Sequence, residues 1–185
     1  MNEVLKTIAR RRSIRQYKDE QIKDFELKAI LEAGLQAPSG HDSQPWHFTV
    51  IQKRELIDEI SAGSKMAMRK SGIDWIVKLG EAEKYNIFYN APTIIILAAK
   101  KDALSPVADV SAALQNMLIA AESLGIGSCW MGFAKFYFSD AQSYKKIGIR
   151  EGYEVFYALT LGYKPQGWKA NPRKRKYEDF YRIIK

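Results

Sequence analysis

The chain has 185 residues, 46% of them hydrophobic, with one cysteine, two histidines and a formal net charge of +8. This length and apolar content suit one domain, residues 1–185, with a substantial core, and exclude global disorder. A single cysteine excludes an intramolecular disulfide, the absence of a Cys/His cluster argues against a zinc site, and no apolar run is long enough to span a bilayer.

Met1–Lys6 is amphipathic and lacks a signal-peptide core, so a cytoplasmic protein is expected. Val4, Leu5 and Ile8 predict a helix that ends near Arg10. Arg10, Arg11, Arg12, Ser13 and Arg15 follow. Guanidinium groups bind phosphate through paired, directional hydrogen bonds, so this cluster reads either as an anion site or as a solvated basic face. Asp24 is a candidate N-cap for a helix whose apolar stripe is Phe25, Leu27, Ile30 and Leu31. Pro38, Ser39 and Gly40 break that helix, and Trp46–Gln52 reads as a strand. Between them lies a loop dense in hydrogen-bonding groups: Gln36, Ser39, Asp42, Ser43 and Gln44. Such a loop either holds a ligand or satisfies its own backbone.

Leu56, Ile57 and Ile60 predict a third helix, ended by Gly63. Residues 64–89 carry no clean period and predict one or two short helices, a candidate cover over a pocket. Thr93–Ala99 is a continuous, β-branched apolar run, the pattern of a strand buried on both faces. Ser105 or Pro106 starts a helix that is apolar nearly all round to Leu124. A helix apolar on every side needs covering on every side. A second copy of the chain would do this, and so would the helix's own domain. Gly125 reads as its C-cap, Ser128–Met131 as a short strand, and Gly132 as a point of close backbone approach. Cys129, in apolar company, reads as a buried small hydrophobe. Ser139 is a candidate cap for a helix through Tyr144 and Ile147, and Val155–Tyr163 reads as a strand. A second basic cluster, Lys169–Lys176, places positive charge at both ends of the chain. This suits an anion site closed from two sides, while a nucleic-acid surface would lack any accompanying stacking platform or recognition motif.

Four elements in this order carry a resemblance: Arg11-Arg12-Ser13-Ile14-Arg15, Pro38-Ser39-Gly40-His41-Asp42-Ser43-Gln44-Pro45-Trp46, Gly125 to Gly132, and Arg173-Lys174-Arg175. Together they resemble the nitroreductase family of FMN-dependent oxidoreductases. The resemblance implies an α+β sandwich, with a central, mainly antiparallel sheet flanked by helices, in an intertwined homodimer that holds FMN at its interface. It implies that Arg11, Arg12, Ser13 and Arg15 bind the phosphate and the ribityl or pyrimidine end, with Arg173 and Arg175 meeting the phosphate from the C-terminal side. Pro38, Ser39, Gly40 and Asp42 would contact the flavin from the other subunit, with Gln36 or Gln44 beside them. Trp130, Met131 and Gly132 would line the isoalloxazine. The implied activity passes hydride from NAD(P)H through flavin N5 to a small electron-poor acceptor by a ping-pong scheme. It needs no catalytic acid, base, nucleophile or metal from the protein, and no membrane or nucleic acid. A non-catalytic flavin sensor or carrier is the alternative. The family often has Asn where this chain has Asp42.

Overall fold

Everything is built on β2, Thr93–Lys100, in which Ile94 through Ala99 are each 0% exposed in the computed structural model, which describes residues 1–170 and 180–185. Its alternation serves both faces at once. Ile94, Ile96 and Ala98 join one core cluster, while Ile95, Leu97 and Ala99 join the other. The remaining strands are β1 (Trp46–Ile51), β3 (Ile126–Met131) and β4 (Tyr153–Tyr163). The sheet has four strands in the order β1-β2-β4-β3, with every neighbouring pair antiparallel.

Helices cover both faces. Helix α1 (Glu3–Arg10) precedes the arginine segment, and α2 (Asp24–Leu35) crosses one face together with α5 (Pro106–Ser123). There Ile30, Val110, Leu114, Met117 and Leu118 meet Ile95, Leu97, Leu159 and Leu161. Helices α3 (Arg54–Met68) and α4 (Asp74–Glu81) cover the other face, where Ile57, Ile60, Met68 and Ile76 meet Ile94, Ile96, Cys129 and Ala158. Each such apolar side chain contributes about 1.5–3 kcal/mol when withdrawn fully from water. A short helix, α6 (Ala141–Lys146), closes the element list before β4. This is the α+β sandwich with an antiparallel sheet that the family resemblance implies.

Several boundaries differ from expectation. Asp24 is the first residue of α2, not its cap. Lys23 stands at the cap, and its N–H donates to the Glu26 carboxylate at 2.8 Å. Gly63 does not end α3, which runs on to Met68. The glycine makes room instead, since a Cβ there would lie 2.4 Å from the Tyr137 ring. Asp140 rather than Ser139 caps α6, its carboxylate accepting from the N–H groups of Gln142 and Ser143 at 2.8 and 2.9 Å. Strand β3 begins two residues early, at Ile126, because Gly125 at φ +76° turns the chain directly out of α5. Within one chain α5 buries Val110, Ala113, Leu114, Met117 and Ala121, and leaves Gln115 and Val107 exposed. No helix among the described residues is long and apolar enough to cross a membrane.

Candidate functional site

The arginine segment lies along the outer edge of β3. Ser13 pairs with Ser128 in a parallel bridge, and the Ile14 N–H donates to the Ser128 carbonyl at 2.9 Å. Two glycines make that approach possible. Gly127 and Gly162 are partners across β3 and β4. A Cβ on Gly127 would stand 2.9 Å from Ile14 Cγ2, and one on Gly162 would stand 2.9 Å from the Tyr17 ring. The bare pair is a floor for Ile14 and Tyr17. Ile14 is 1% exposed, and the Tyr17 hydroxyl donates to the Ile14 carbonyl at 2.6 Å and shares a hydrogen bond with Thr160 Oγ1 at 2.7 Å. The segment between the helix and Lys18 is therefore fixed, and its arginines are carried on rigid backbone.

Each arginine has a distinct setting. Arg10 pairs with Glu3 at 3.0 Å on the exposed surface of α1. Arg12 turns its Nη1 onto the carbonyls of Ala9, Arg10 and Arg11 at 2.7, 2.9 and 3.0 Å. A cation there complements the negative end of the helix dipole. The Arg11 N–H donates to the Thr7 carbonyl at 3.0 Å, closing the helix. Arg15 reaches across to Tyr89, with Nε 3.2 Å from the hydroxyl and the guanidinium carbon 5.7 Å from the ring centre. Tyr85 stands edge-on to Tyr89 at 5.9 Å. The stretch expected to act as a cover thus sends two tyrosines to the arginine segment. Beneath them is Cys129, 1% exposed. Burial pushes its thiol up, against the Arg15 charge and a Ser13 hydrogen bond that pull it down. It is a packing residue, as the sequence suggests.

At the end of β3, alternation separates residues that the sequence groups together. Met131 packs into the α3–α4 side, whereas Trp130 sits on the α2–α5 side, edge-on to Tyr157 at 4.9 Å. Their side chains cannot line one surface. Gly132 follows, and a Cβ added to it would meet nothing within 4 Å. That open space at the strand end suits a flat ring laid against main chain.

The loop from Pro38 to Gln44 is tightly self-bonded. The Asp42 N–H donates to the Ser39 carbonyl at 3.1 Å, the Gln44 N–H to Ser39 Oγ at 2.9 Å, and Gln44 Nε2 to Asp42 Oδ1 at 3.1 Å. His41, Asp42 and Gln44 all have positive φ, at 51°, 52° and 45°. Non-glycine residues pay for that conformation, so the surroundings must hold it. Part of the hold comes from Asp109 in the first turn of α5, whose Oδ1 accepts from the Gly40 N–H at 3.0 Å. Neither Asp109 nor the Tyr85–Tyr89 pair is singled out by sequence reasoning. The signal for Asp109 is one acid inside the otherwise apolar VADVSAAL.

Within one chain the two halves do not meet. The 38–44 loop feeds β1, at one edge of the sheet, and the arginine segment lies beyond β3, at the other. Arg173 and Arg175 lie outside the described residues. A cleft of about 690 Å³ is lined by Phe138, Tyr144, Ile149 and Tyr153 near α6, and shares no residue with either half. The residues on the arginine side fit a flavin nucleotide: guanidinium and hydroxyl donors on fixed backbone, then open space over a glycine at the strand end.

The fold is an α+β sandwich that carries a run of arginines along one outer strand edge. The profile of the Nitroreductase family matches residues 8–163, and the chain belongs to that family. An Archaeoglobus fulgidus protein provisionally named as an NADH dehydrogenase/NAD(P)H nitroreductase is 35% identical over 167 residues, which is 88% of this chain and 86% of its own. A crystal structure of a Bacteroides fragilis nitroreductase with bound FMN superimposes with a TM-score of 0.92 at 34% identity, covering 100% of both chains. A Desulfitobacterium hafniense nitroreductase with bound FMN gives 0.88 at 29% identity, again over 100% of both.

Proposed function

We propose that this protein is a homodimeric FMN-dependent oxidoreductase that takes hydride from NAD(P)H and delivers it to a small electron-poor acceptor such as a nitroaromatic or a quinone. The observation that carries the proposal is the fixed arginine segment on β3. Arg11, Arg12, Ser13 and Arg15 would hold the FMN phosphate and its polar tail. A phosphate dianion needs several charge-assisted donors to offset its lost hydration, and this segment supplies them from backbone already immobilised by Ile14 and Tyr17.

When bound, FMN supplies the redox chemistry, so the protein needs no catalytic acid, base or metal. Its own work is to bind, orient and shield. The open space over Gly132 would receive the ring against main chain. Pro38, Ser39, Gly40, Asp42 and Gln44 would meet it from the second copy, since in one chain they feed β1 at the sheet edge opposite the arginine segment. Donor and acceptor would use the exposed ring face in turn, a ping-pong scheme. A supply of reduced nicotinamide goes with a cytoplasmic setting.

The test is the visible spectrum of the purified protein, followed by anaerobic addition of NADH or NADPH. Flavin bands that bleach with the donor and return with a nitroaromatic or quinone are the expected result. A protein that stays colourless after incubation with FMN overturns the cofactor assignment. Bound flavin that neither donor bleaches overturns the activity.

A further inference from the structure

We propose that Asp109 is a positioning residue that clamps the 38–44 loop in its flavin-binding shape. The carboxylate is 4% exposed, in the first turn of α5. Its backbone N–H is already spent on the Ser105 carbonyl at 3.0 Å, so the residue is held in the helix. Its side chain then reaches out of that helix, across 69 positions of sequence, to the Gly40 N–H. The second oxygen, Oδ2, is buried and has no partner among the described residues. Burying a carboxylate with one oxygen unpaired is unfavourable, and an apolar residue of similar size would avoid that cost. The acid makes sense as the acceptor for Gly40, in a helix turn whose dipole favours negative charge.

The loop needs such a clamp. His41, Asp42 and Gln44 are all in the left-handed region, and their other described hydrogen bonds run within the loop itself. Internal bonds define a shape but do not dock it. Docking comes from Asp109 at the entry and from the Lys100 N–H on the Pro45 carbonyl at the exit. Of these, only Asp109 belongs to the apolar helix expected at the subunit interface. The clamp thereby ties the shape of the loop to the seating of α5. The flavin part of this inference rests on the function proposed above, whereas the clamp itself does not.

The test compares wild type with Asp109→Ala and Asp109→Asn, the latter keeping Oδ1 as an acceptor. Amide hydrogen exchange in the FMN-free protein reports the loop, with β2 amides as the control for global folding. Fluorescence titration with FMN, and the spectrum of the bound flavin, report its consequence. Asp109→Ala is expected to speed exchange at Gly40 and weaken FMN binding, each by about tenfold, with β2 protected as before. Asp109→Asn is expected to recover most of both. Unchanged Gly40 exchange in Asp109→Ala overturns the clamp. Faster exchange with unaltered FMN affinity and spectrum overturns the positioning role. Should Asp109→Ala lose β2 protection as well, Asp109→Asn decides alone, and loop exchange or FMN affinity as poor as in Asp109→Ala overturns the proposal. A wild-type protein that binds no FMN overturns the function proposed above and is told apart from these outcomes by its own titration.

Discussion

Arg15 donates from Nε to the Tyr89 hydroxyl across 3.2 Å, joining the segment before α2 to the turn that precedes β2. The two residues are 74 positions apart. Tyr89 has φ of 54°, a costly backbone for an aromatic residue, and its neighbour Asn90 has 56°. The turn is bent so that the tyrosine faces the arginine.

This pair predicts a graded effect on cofactor binding. Tyr89→Phe keeps the ring beneath the guanidinium and loses the hydroxyl, so FMN affinity should fall about 2- to 5-fold. Tyr89→Ala loses both and should fall further, to about tenfold. Fluorescence titration with FMN measures this. Equal affinity in all three proteins would show that Arg15 needs no holding.

Tyr17 predicts an alkaline limit to stability. Burial raises the pKa of its hydroxyl far above the ordinary value near 10, only partly opposed by the Thr160 hydrogen bond. The folded state therefore keeps the proton, while the unfolded chain releases it near pH 10. Above that pH the unfolded state binds fewer protons, so stability is complete below about pH 10 and falls above it, by up to about 1.4 kcal/mol per pH unit. Tyr137, pushed up to about 12 by burial and by its bond to Glu59, adds in the same direction. Urea unfolding between about pH 9 and 11 should show a shallower fall in Tyr17→Phe than in wild type. Parallel falls would remove Tyr17 as the cause.

Two glycines predict opposite signatures. In Gly127→Ala the new methyl meets Ile14 at 2.9 Å and the Gly162 carbonyl at 3.1 Å. Overpacking of this kind costs about 1–3 kcal/mol and would push the arginine segment off β3, so stability and FMN affinity should fall together. In Gly132→Ala the methyl enters open space, at φ −89°, which alanine accepts. Stability should change by less than about 0.5 kcal/mol, while FMN binding weakens because the ring would need that space. Thermal unfolding without FMN and titration with it separate the two. Unchanged FMN affinity in Gly132→Ala would move the ring elsewhere.

The sequence alone determined the strongly periodic and strongly apolar features. Ile94 to Ala99 can satisfy their pattern only between two layers, and Val110 to Ala121 only against a core, so the buried strand and the buried helix were legible, while the sandwich itself came from the family resemblance. The cationic turn after α1 and the polar turn before β1 were legible too, because breakers and donors are local. Boundaries that depend on a distant partner were not. Gly63 looks like a stop, but α3 runs through it, and only the Tyr137 ring pressed against it explains why a glycine stands there. Trp130 and Met131 look like neighbours, and strand alternation sends them to opposite faces. The bare floor of Gly127 and Gly162, the grip of Tyr89 on Arg15 and the hold of Asp109 on Gly40 belong to tertiary structure alone. Each joins residues far apart in the chain, and a hydrogen bond or a methyl-sized gap leaves no periodic trace in either stretch that forms it.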